Sequence, residues 1–428
     1  MRPVLVKGGR VIDPSRQLDQ AADVLIQDGR IAAVESNVTA PEGAETIDAS
    51  GMVVAPGLVD VHVHLREPGK EAAETVATGA RAAAAGGFTS VCAMPNTDPI
   101  TDNQAAIGFI VKQANAANGA RVFPYGAISI GQRGEQLAEF AKLIEAGAIA
   151  FSDDGHPLVS SHLMRTALEY AQAFGIPVAD HCEEPSLAKG GAMHDGVVST
   201  RLGLKGIPAA AEEIMVARDV ILSELTGGHV HLCHISTKGS VDIIRRGKEN
   251  GVNVTAEVTP HHLTLTHDKC EGYNTNAKMN PPLREEADVV ALREALKDGT
   301  LDMIATDHAP HHYEAKERDF DDAPFGIVGL ETALGLGVKE LVNGGVLSLP
   351  ELMRRMSTEP AKAFHLDAGT LEPGKPADLV IFDPGATWTV EPTEFHSKSR
   401  NTPYAGHVLA GRVERTIVGG RTVFQRDS

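Results

Sequence analysis

Six histidine and aspartate residues lie far apart along this chain, and each falls where a short apolar run ends: His62 with His64, Asp154, His181, His234 and Asp307. Eight such runs can be read, at 59–64, 89–94, 122–129, 148–152, 176–181, 230–235, 252–258 and 302–306. Each is followed by a helix-compatible segment rich in alanine or charge, so strand and helix patterns alternate. That alternation predicts a parallel sheet, and eight repeats predict its closure into an α/β fold of the (β/α)8 TIM barrel type. In such a barrel functional residues gather at the C-terminal ends of the strands and in the loops that follow. All six residues meet that condition.

A barrel takes roughly 250 residues, and the chain has 428. The surplus reads as two β-rich ends. Short strands are expected at 4–7, 9–12, 23–26 and 30–34, and again at 378–382, 406–409, 412–418 and 421–424. Asp28-Gly29 and Gly419-Gly420 read as hairpin turns. Neither end is long enough to bury a core alone, so the two are expected to pack into one composite β-sandwich module. The predicted organisation is 1–55 for the N-terminal part of that module, 56–364 for the barrel and 365–428 for the C-terminal part. Helices are expected at 70–85 and 135–145.

A formal net charge of −18 opposes general attraction to nucleic acid or an anionic membrane, while leaving room for a small anionic substrate held by local cations. No apolar run approaches the ~20 residues that cross a bilayer, and 1–10 lack the apolar stretch of a signal peptide. A cytoplasmic protein with no nucleic-acid and no membrane partner is expected. Cys92, Cys182, Cys233 and Cys270 form no CxxC pair and read as reduced thiols.

The chemistry follows from the ligand types. Strand alternation over 56–64 predicts Asp60, His62 and His64 on one face and the intervening valines on the other. Cys182 and Cys233, beside His181 and His234, are expected to turn away from the lumen and leave imidazole as the ligand. Imidazole with carboxylate suits Zn, Mn, Fe or Ni, whereas calcium wants mainly oxygen donors. Zinc is the first choice, as one or two ions, with two per subunit preferred. His62 and His64 would take one ion, His181 and His234 a second, and Asp154 would bridge them. Asp307 would bind the first ion. A metal-held water titrates near about 7 instead of about 15.7, so Asp307 is placed to accept its proton and pass it to a leaving nitrogen. Buried His and Asp are costly unless paired or coordinated, so packing alone does not account for six at five strand ends. His229 and His231 fall towards the N-terminal end of their strand and read as structural. His261 and His262 read as supports at the mouth, and Asp153 should point away from Asp154. His156, His162, His194, His267 and His365 read as surface or loop residues.

The ordered motifs are Asp60-Val-His-Val-His64-Leu-Arg-Glu-Pro-Gly69, Met94-Pro-Asn96-Thr, Phe151-Ser-Asp-Asp154-Gly, Asp180-His-Cys-Glu-Glu184, His231-Leu-Cys-His234-Ile-Ser-Thr and Thr306-Asp307-His-Ala-Pro-His311. Over nearly the whole chain this set resembles the amidohydrolase superfamily and, more narrowly, its bacterial type I dihydroorotase branch. The resemblance implies His62, His64, Asp154, His181, His234 and Asp307 as metal ligands, with Asp307 also the catalytic acid and base. It implies substrate contacts by Arg66, Asn96, Asn280, His311, Phe325 and Gly326. The implied reaction is the reversible cyclisation of N-carbamoyl-L-aspartate to L-dihydroorotate and water, in de novo pyrimidine biosynthesis. A homodimer and association with aspartate transcarbamoylase are implied partners.

Many superfamily members bridge two ions with a carbamylated lysine after the fourth strand. Here 148–155 contains no lysine and Asp154 stands in that place. The substrate carries a carboxylate beside the reacting amide, and the planar guanidinium of Arg66 suits a bidentate grip on it. Two alternatives remain open at this stage: a hydantoinase-, dihydropyrimidinase- or allantoinase-like cyclic amidase, and a non-catalytic dihydroorotase-like subunit of an aspartate transcarbamoylase complex. The polar stretch 311–326 reads as a mobile lid.

Overall fold

Both ends of the chain and its middle fold as the strand patterns demand. The computed structural model describes residues 2–426. The N-terminal strands are β1 (Val4–Asp13), β2 (Leu18–Gln27), β3 (Arg30–Glu35), β4 (Glu45–Asp48) and β5 (Val53–Pro56). The eight apolar runs then supply β6 (Leu58–Val63), β7 (Phe88–Ala93), β8 (Arg121–Pro124), β9 (Phe151–Ser152) and β10 (Val178–Asp180). After a short side pair, β11 (Met193–His194) and β12 (Gly206–Ile207), come β13 (Val230–Leu232), β14 (Val254–Val258) and β15 (Met303–Ile304). The chain closes with β16 (Leu379–Thr389), β17 (Val408–Val418) and β18 (Arg421–Gln425).

Strands β6 to β8 pair in parallel, as do β9, β10, β13, β14 and β15. Parallel bridges Gly126↔Phe151 and Val63↔His308 join the two arcs into a ring. Alternate strand residues divide between two layers. Leu58, Val91, Val122, Val178, Val230 and Ile304 face outward and pack with helix residues such as Ala80, Ile107, Leu168, Val216, Ile244 and Leu292. Val59, Cys92, Tyr125, Ala179 and Met303 fill the lumen, where Phe364 lies edge-on to Tyr125 at 6.0 Å between ring centroids. The lumen is therefore a packed core.

Two helices are shorter than their sequence pattern. The first spans Val76–Ala85, because Thr75 takes an extended backbone and caps the Thr78 N–H. The third spans Phe140–Ala146, because the Ala138 N–H donates to the Ile128 carbonyl at 2.9 Å and ties the preceding residues to the strand side.

The two ends form one eight-stranded sheet in the order β18-β17-β16-β5-β1-β2-β3, with β4 added to β1. Its seam is β16 lying antiparallel to β5, from Leu379↔Pro56 to Phe382↔Val53. The sheet bends over its own core. Val6, Val24, Ile31, Val34, Leu379, Ile381 and Ile417 share one buried cluster, and the Ala377 N–H meets the Gly29 carbonyl at 2.9 Å. Asp28-Gly29 and Gly419-Gly420 make the two hairpin turns, with φ of 49°, 76°, 55° and 75°. The runs at 4–7 and 9–12 are one strand with a register shift between Val6 and Gly9, and those at 406–409 and 412–418 merge into β17. Strands β4 and β5 are four-residue segments recruited by β1, too short to announce themselves by pattern.

Gly57 links β5 to β6 at the junction of sheet and barrel. Its N–H donates to the Asp378 carbonyl at 3.0 Å, and its carbonyl accepts from Ser357 Oγ at 2.7 Å. A Cβ there would lie 2.1 Å from the Thr89 side chain. Gly57→Ala is expected to lower unfolding free energy by about 1–3 kcal/mol through overpacking. Adding Thr89→Ala should restore part of it, which denaturant unfolding of the single and double variants measures.

Candidate metal centre

The first ligand pair reaches the lumen by a break in strand alternation. Val59 and Val61 belong to the inner layer and Leu58 and Val63 to the outer, so the valines do not share one outward face. A register shift against β7 between Asp60 and Val63 inserts one extra residue. This bulge turns His62 inward. Asp60 is not a companion ligand; its carboxylate accepts from the His62 N–H at 3.1 Å and from Thr306 Oγ1 at 2.6 Å, and burial raises its pKa to about 7.

The six predicted residues converge. His62 Nε2 lies 3.5 Å from Asp154 Oδ2 and 3.5 Å from Asp307 Oδ1. His64 Nε2 lies 3.4 Å from Asp154 Oδ2 and 3.0 Å from Asp307 Oδ1. On the other side of the same carboxylate, Asp154 Oδ1 faces His181 Nδ1 at 3.7 Å and His234 Nε2 at 3.5 Å, with those two nitrogens 2.9 Å apart. Asp154 therefore spans two imidazole pairs, one oxygen to each. His62, His64 and Asp307 form one group of donor atoms within 4.8 Å of one another, and Asp154, His181 and His234 form a second. Among the described residues His62 Nε2 and Asp154 Oδ1 are buried without a hydrogen-bond partner. Such orphaned atoms, aimed at each other's neighbours, suit a bound divalent cation.

The electrostatics favour positive charge here. Burial opposes a charge on His62, yet the carboxylates of Asp154, Glu257 and Asp307 outweigh it and raise its pKa well above the usual value. Burial likewise opposes ionisation of Asp154 and Asp307, but the surrounding imidazoles win: Asp154 falls well below the carboxylate range and Asp307 to about 2. Three non-glycine residues at the site take positive φ: Arg66 at 63°, His234 at 34° and Asp307 at 47°. Each such backbone costs on the order of 1–3 kcal/mol and persists only where the surroundings hold it.

Glu257, on β14, also belongs to the centre. Its Oε1 accepts from His62 Nδ1 at 2.6 Å and from the His234 N–H at 3.1 Å, while Oε2 accepts from His231 Nε2 at 3.1 Å. One carboxylate thus fixes the tautomer of His62 and holds the backbone of His234. A lone glutamate inside an apolar strand was the available signal. His231 is fully buried as its partner, and His229 bonds Thr255 Oγ1 at 2.8 Å.

Arg66, Asn96, Asn280, His311, Phe325 and Gly326 line one cavity of about 190 Å³ together with His64, Asp154, His181, His234 and Asp307. His62 lies fully buried beneath it. Asn96 Oδ1 accepts from His64 Nδ1 at 2.9 Å, so Asn96 also orients an imidazole. Arg66 Nε donates to the Pro310 carbonyl at 3.1 Å, and burial lowers its pKa to about 10, leaving it cationic at neutral pH. Asn280 Nδ2 donates to Glu183 Oε2 at 3.0 Å, and His262 Nε2 donates to the neighbouring Pro281 carbonyl at 2.9 Å. His311 Nε2 donates to the Phe325 carbonyl at 2.7 Å, and burial with Arg66 nearby lowers its pKa to about 3.

Two expectations are corrected. Cys233 faces the lumen, grouped with His62 and Asp154, because β13 ends at Leu232 and alternation no longer sets His234. Cys182 turns outward as expected, 3.5 Å from Asp219 Oδ2. His194 and His267 are buried, not superficial, since the 193–207 excursion covers them; Arg284 Nη1 bonds His194 Nδ1 at 3.2 Å. Within 311–326, Lys316, Phe320 and Ala323 are buried while 317–319 and 321–322 are exposed. Asp153 points away from the centre, accepting from the Ile128 N–H at 2.9 Å.

Comparison with known proteins bears on the family and the fold. Residues 51–240 match the family model described as dihydro-orotase-like, and 289–424 match the amidohydrolase family. The L-hydantoinase of Arthrobacter aurescens superposes with a TM-score of 0.90 at 28% identity, covering 100% of this chain and 97% of that one. Dihydropyrimidinase from Brevibacillus agri superposes with a TM-score of 0.86 at 25% identity, covering 99% and 95%. The barrel, the family match and these neighbours make the chain an amidohydrolase. In sequence, the dihydroorotase of Geobacter metallireducens is 53% identical over 99% of this chain and 100% of its own length. That of Pelotomaculum thermopropionicum is 55% identical over 99% and 98%. The chain belongs to the dihydroorotase family.

Removing Glu257 should loosen the metal rather than the fold's outline. Glu257→Ala is expected to weaken metal affinity by about 10–100-fold, and Glu257→Gln by less because one acceptor oxygen remains. Competition against a chelator measures both.

Proposed function

We infer that this chain is a dihydroorotase, interconverting N-carbamoyl-L-aspartate and L-dihydroorotate plus water in pyrimidine biosynthesis. The observation that carries this reading is one cavity of about 190 Å³ shared by the His/Asp cluster and the Arg66 guanidinium. A cation beside a metal centre suits a cyclic amide that bears its own carboxylate. Metal dependence accords with the amidohydrolase family and with the two donor groups.

We propose zinc, two ions per subunit, with His62, His64 and Asp307 holding one, His181 and His234 the other, and Asp154 between them. Bound there, the metal supplies Lewis acidity that polarises a carbonyl and makes a water nucleophilic near neutral pH. The chain's own groups do the rest. Arg66, Asn96 and His311 would grip the substrate carboxylate, while Asn280 and the Phe325-Gly326 backbone would hold the ring. In ring opening a water oxygen adds to the ring carbonyl carbon, the carbon–nitrogen bond breaks, and Asp307 carries the water's proton to the departing nitrogen. Closure reverses each transfer. The depressed pKa of Asp307 keeps it ionised at neutral pH, the form that accepts a proton. Residues 56–364 would form the catalytic barrel, flanked by 1–55 and 365–428 as one module. Homodimerisation, association with aspartate transcarbamoylase and a cytoplasmic setting belong to the same proposal; among the described residues no helix is long and apolar enough to cross a membrane.

The hydantoinase-like neighbours make a neutral cyclic amide the competing substrate. Metal analysis coupled to a spectrophotometric assay of dihydroorotate ring opening, repeated on Asp307→Asn, tests the reading. Wild type should turn over dihydroorotate with metal bound, and the variant should lose at least about 100-fold, within the range general acid–base catalysis supplies. Arg66→Ala should cripple dihydroorotate turnover; strong wild-type activity on uncharged hydantoin with none on dihydroorotate would favour the competitor. Ring opening needs ionised Asp307 and closure its protonated form, so lowering pH should slow hydrolysis and favour synthesis. Rate–pH profiles in both directions check the opposite signs.

A further inference from the structure

The segment between β16 and β17 crosses the barrel mouth and touches the substrate side of the cavity. Ser399 Oγ donates to the Ala73 carbonyl at 2.7 Å, and the Ser397 N–H donates to Glu331 Oε1 at 3.1 Å, which moors the segment to the barrel loops. Between these moorings and Tyr404 lies Asn401, only 4% exposed. Its Nδ2 donates to the Ala309 carbonyl at 2.9 Å and to the Gly326 carbonyl at 3.0 Å. Its Oδ1 accepts from the His311 N–H at 3.1 Å, and its own carbonyl accepts from the Val328 N–H at 3.0 Å. One amide side chain thereby fixes the backbone of three cavity residues at once, Ala309, His311 and Gly326.

A second polar group grips the same turn from inside. Lys316 is 5% exposed, and its Nζ donates to the Pro324 carbonyl at 2.8 Å and to the Gly326 carbonyl at 3.1 Å, with the Lys278 carbonyl 3.4 Å away. A buried amino group is tolerated only when oxygens replace its water shell, and here backbone carbonyls do so. The Gly326 carbonyl receives both donors, one from Asn401 and one from Lys316. Gly326 itself sits at φ 150°, and a Cβ would meet the Ala309 carbonyl at 2.7 Å and the His311 ring at 2.8 Å. The turn is therefore held at a spacing that only glycine allows.

We propose that Asn401 and Lys316 are positioning residues: they brace the Phe325-Gly326 turn and His311 against Arg66, and so set the affinity for the substrate's carboxylate-bearing ring. This rests on the dihydroorotase reading. Neither side chain touches the His/Asp cluster in any hydrogen bond, so the brace acts on substrate binding and leaves the metal in place. Misplacing a recognition group by about 1 Å can cost on the order of 100-fold.

The test uses Asn401→Leu, which removes every side-chain hydrogen bond at similar volume, and Lys316→Met, which keeps the stem and removes the amino group. Asn401→Asp keeps the acceptor for His311 but sets a carboxylate against two carbonyls. Each purified enzyme is assayed for metal content, for KM and kcat with dihydroorotate, and for amide hydrogen exchange in peptides spanning 309–328. The expected result is full metal content, KM raised about tenfold or more with kcat changed less than about threefold, and faster exchange confined to 309–328. Lys316→Met and Asn401→Asp should move in the same direction. Unchanged KM and exchange in a folded, metal-replete Asn401→Leu overturns the brace, as does a parallel loss of metal and kcat, the mark of a general structural role. Should wild type fail to open dihydroorotate, the functional reading falls separately, and exchange over 309–328 still decides whether the brace exists.

Discussion

The Asp154 carboxylate is the point on which the site is assembled. Its two oxygens face two imidazole pairs drawn from three strands, at 3.4 and 3.5 Å on one side and 3.5 and 3.7 Å on the other. Four imidazoles and two carboxylates cannot be crowded into a dry lumen without charge compensation. The barrel meets that requirement in layers. Outer groups hold three of the imidazole residues: Glu257 on His62, Asn96 on His64, and the same Glu257 oxygen on the His234 backbone. Beneath them Val59, Val61, Tyr125 and Phe364 exclude water from below. A packed floor and a polar rim are what the closed ring provides.

Much of the fold was legible because the pattern was physical. Eight apolar runs separated by helical spacers, each ending in a ligand-type residue or a turn, leave few topologies besides a closed parallel ring. Hairpin chemistry at Asp28-Gly29 and Gly419-Gly420 also survived translation into structure, because positive φ at both turn positions is a local demand. What pattern alone could not supply were long-range corrections to it. The β6 bulge between Asp60 and Val63 inverts the valine face, and nothing in alternating residues announces an inserted register step. Cys233 was placed on the wrong face for the complementary reason: β13 stops at Leu232, one residue before alternation was applied to it.

At the site, ligand types were readable and their supports were not. Histidine and aspartate at strand ends carry their chemistry in their names. Glu257 stands out in sequence only as a glutamate inside an apolar strand, and its role is legible once His62, His231 and His234 are seen around it. Asn401 gave no signal at all, since it sits in a polar loop distant in sequence from every cavity residue it holds. Lys316 was visible only as one charge in a polar run, and its burial reverses that description. Residues that act through others are legible only once tertiary contacts are known.

The pairing of β16 with β5 places the chain's two ends side by side in one sheet. During synthesis the ribosome delivers β1 to β5 first, and their open edge must wait until almost the entire polypeptide has emerged. An unpaired strand edge of buried valines is an invitation to strangers. Nascent chains of this architecture thus carry a period of vulnerability that the finished molecule conceals, ending only when β16 arrives to close the edge.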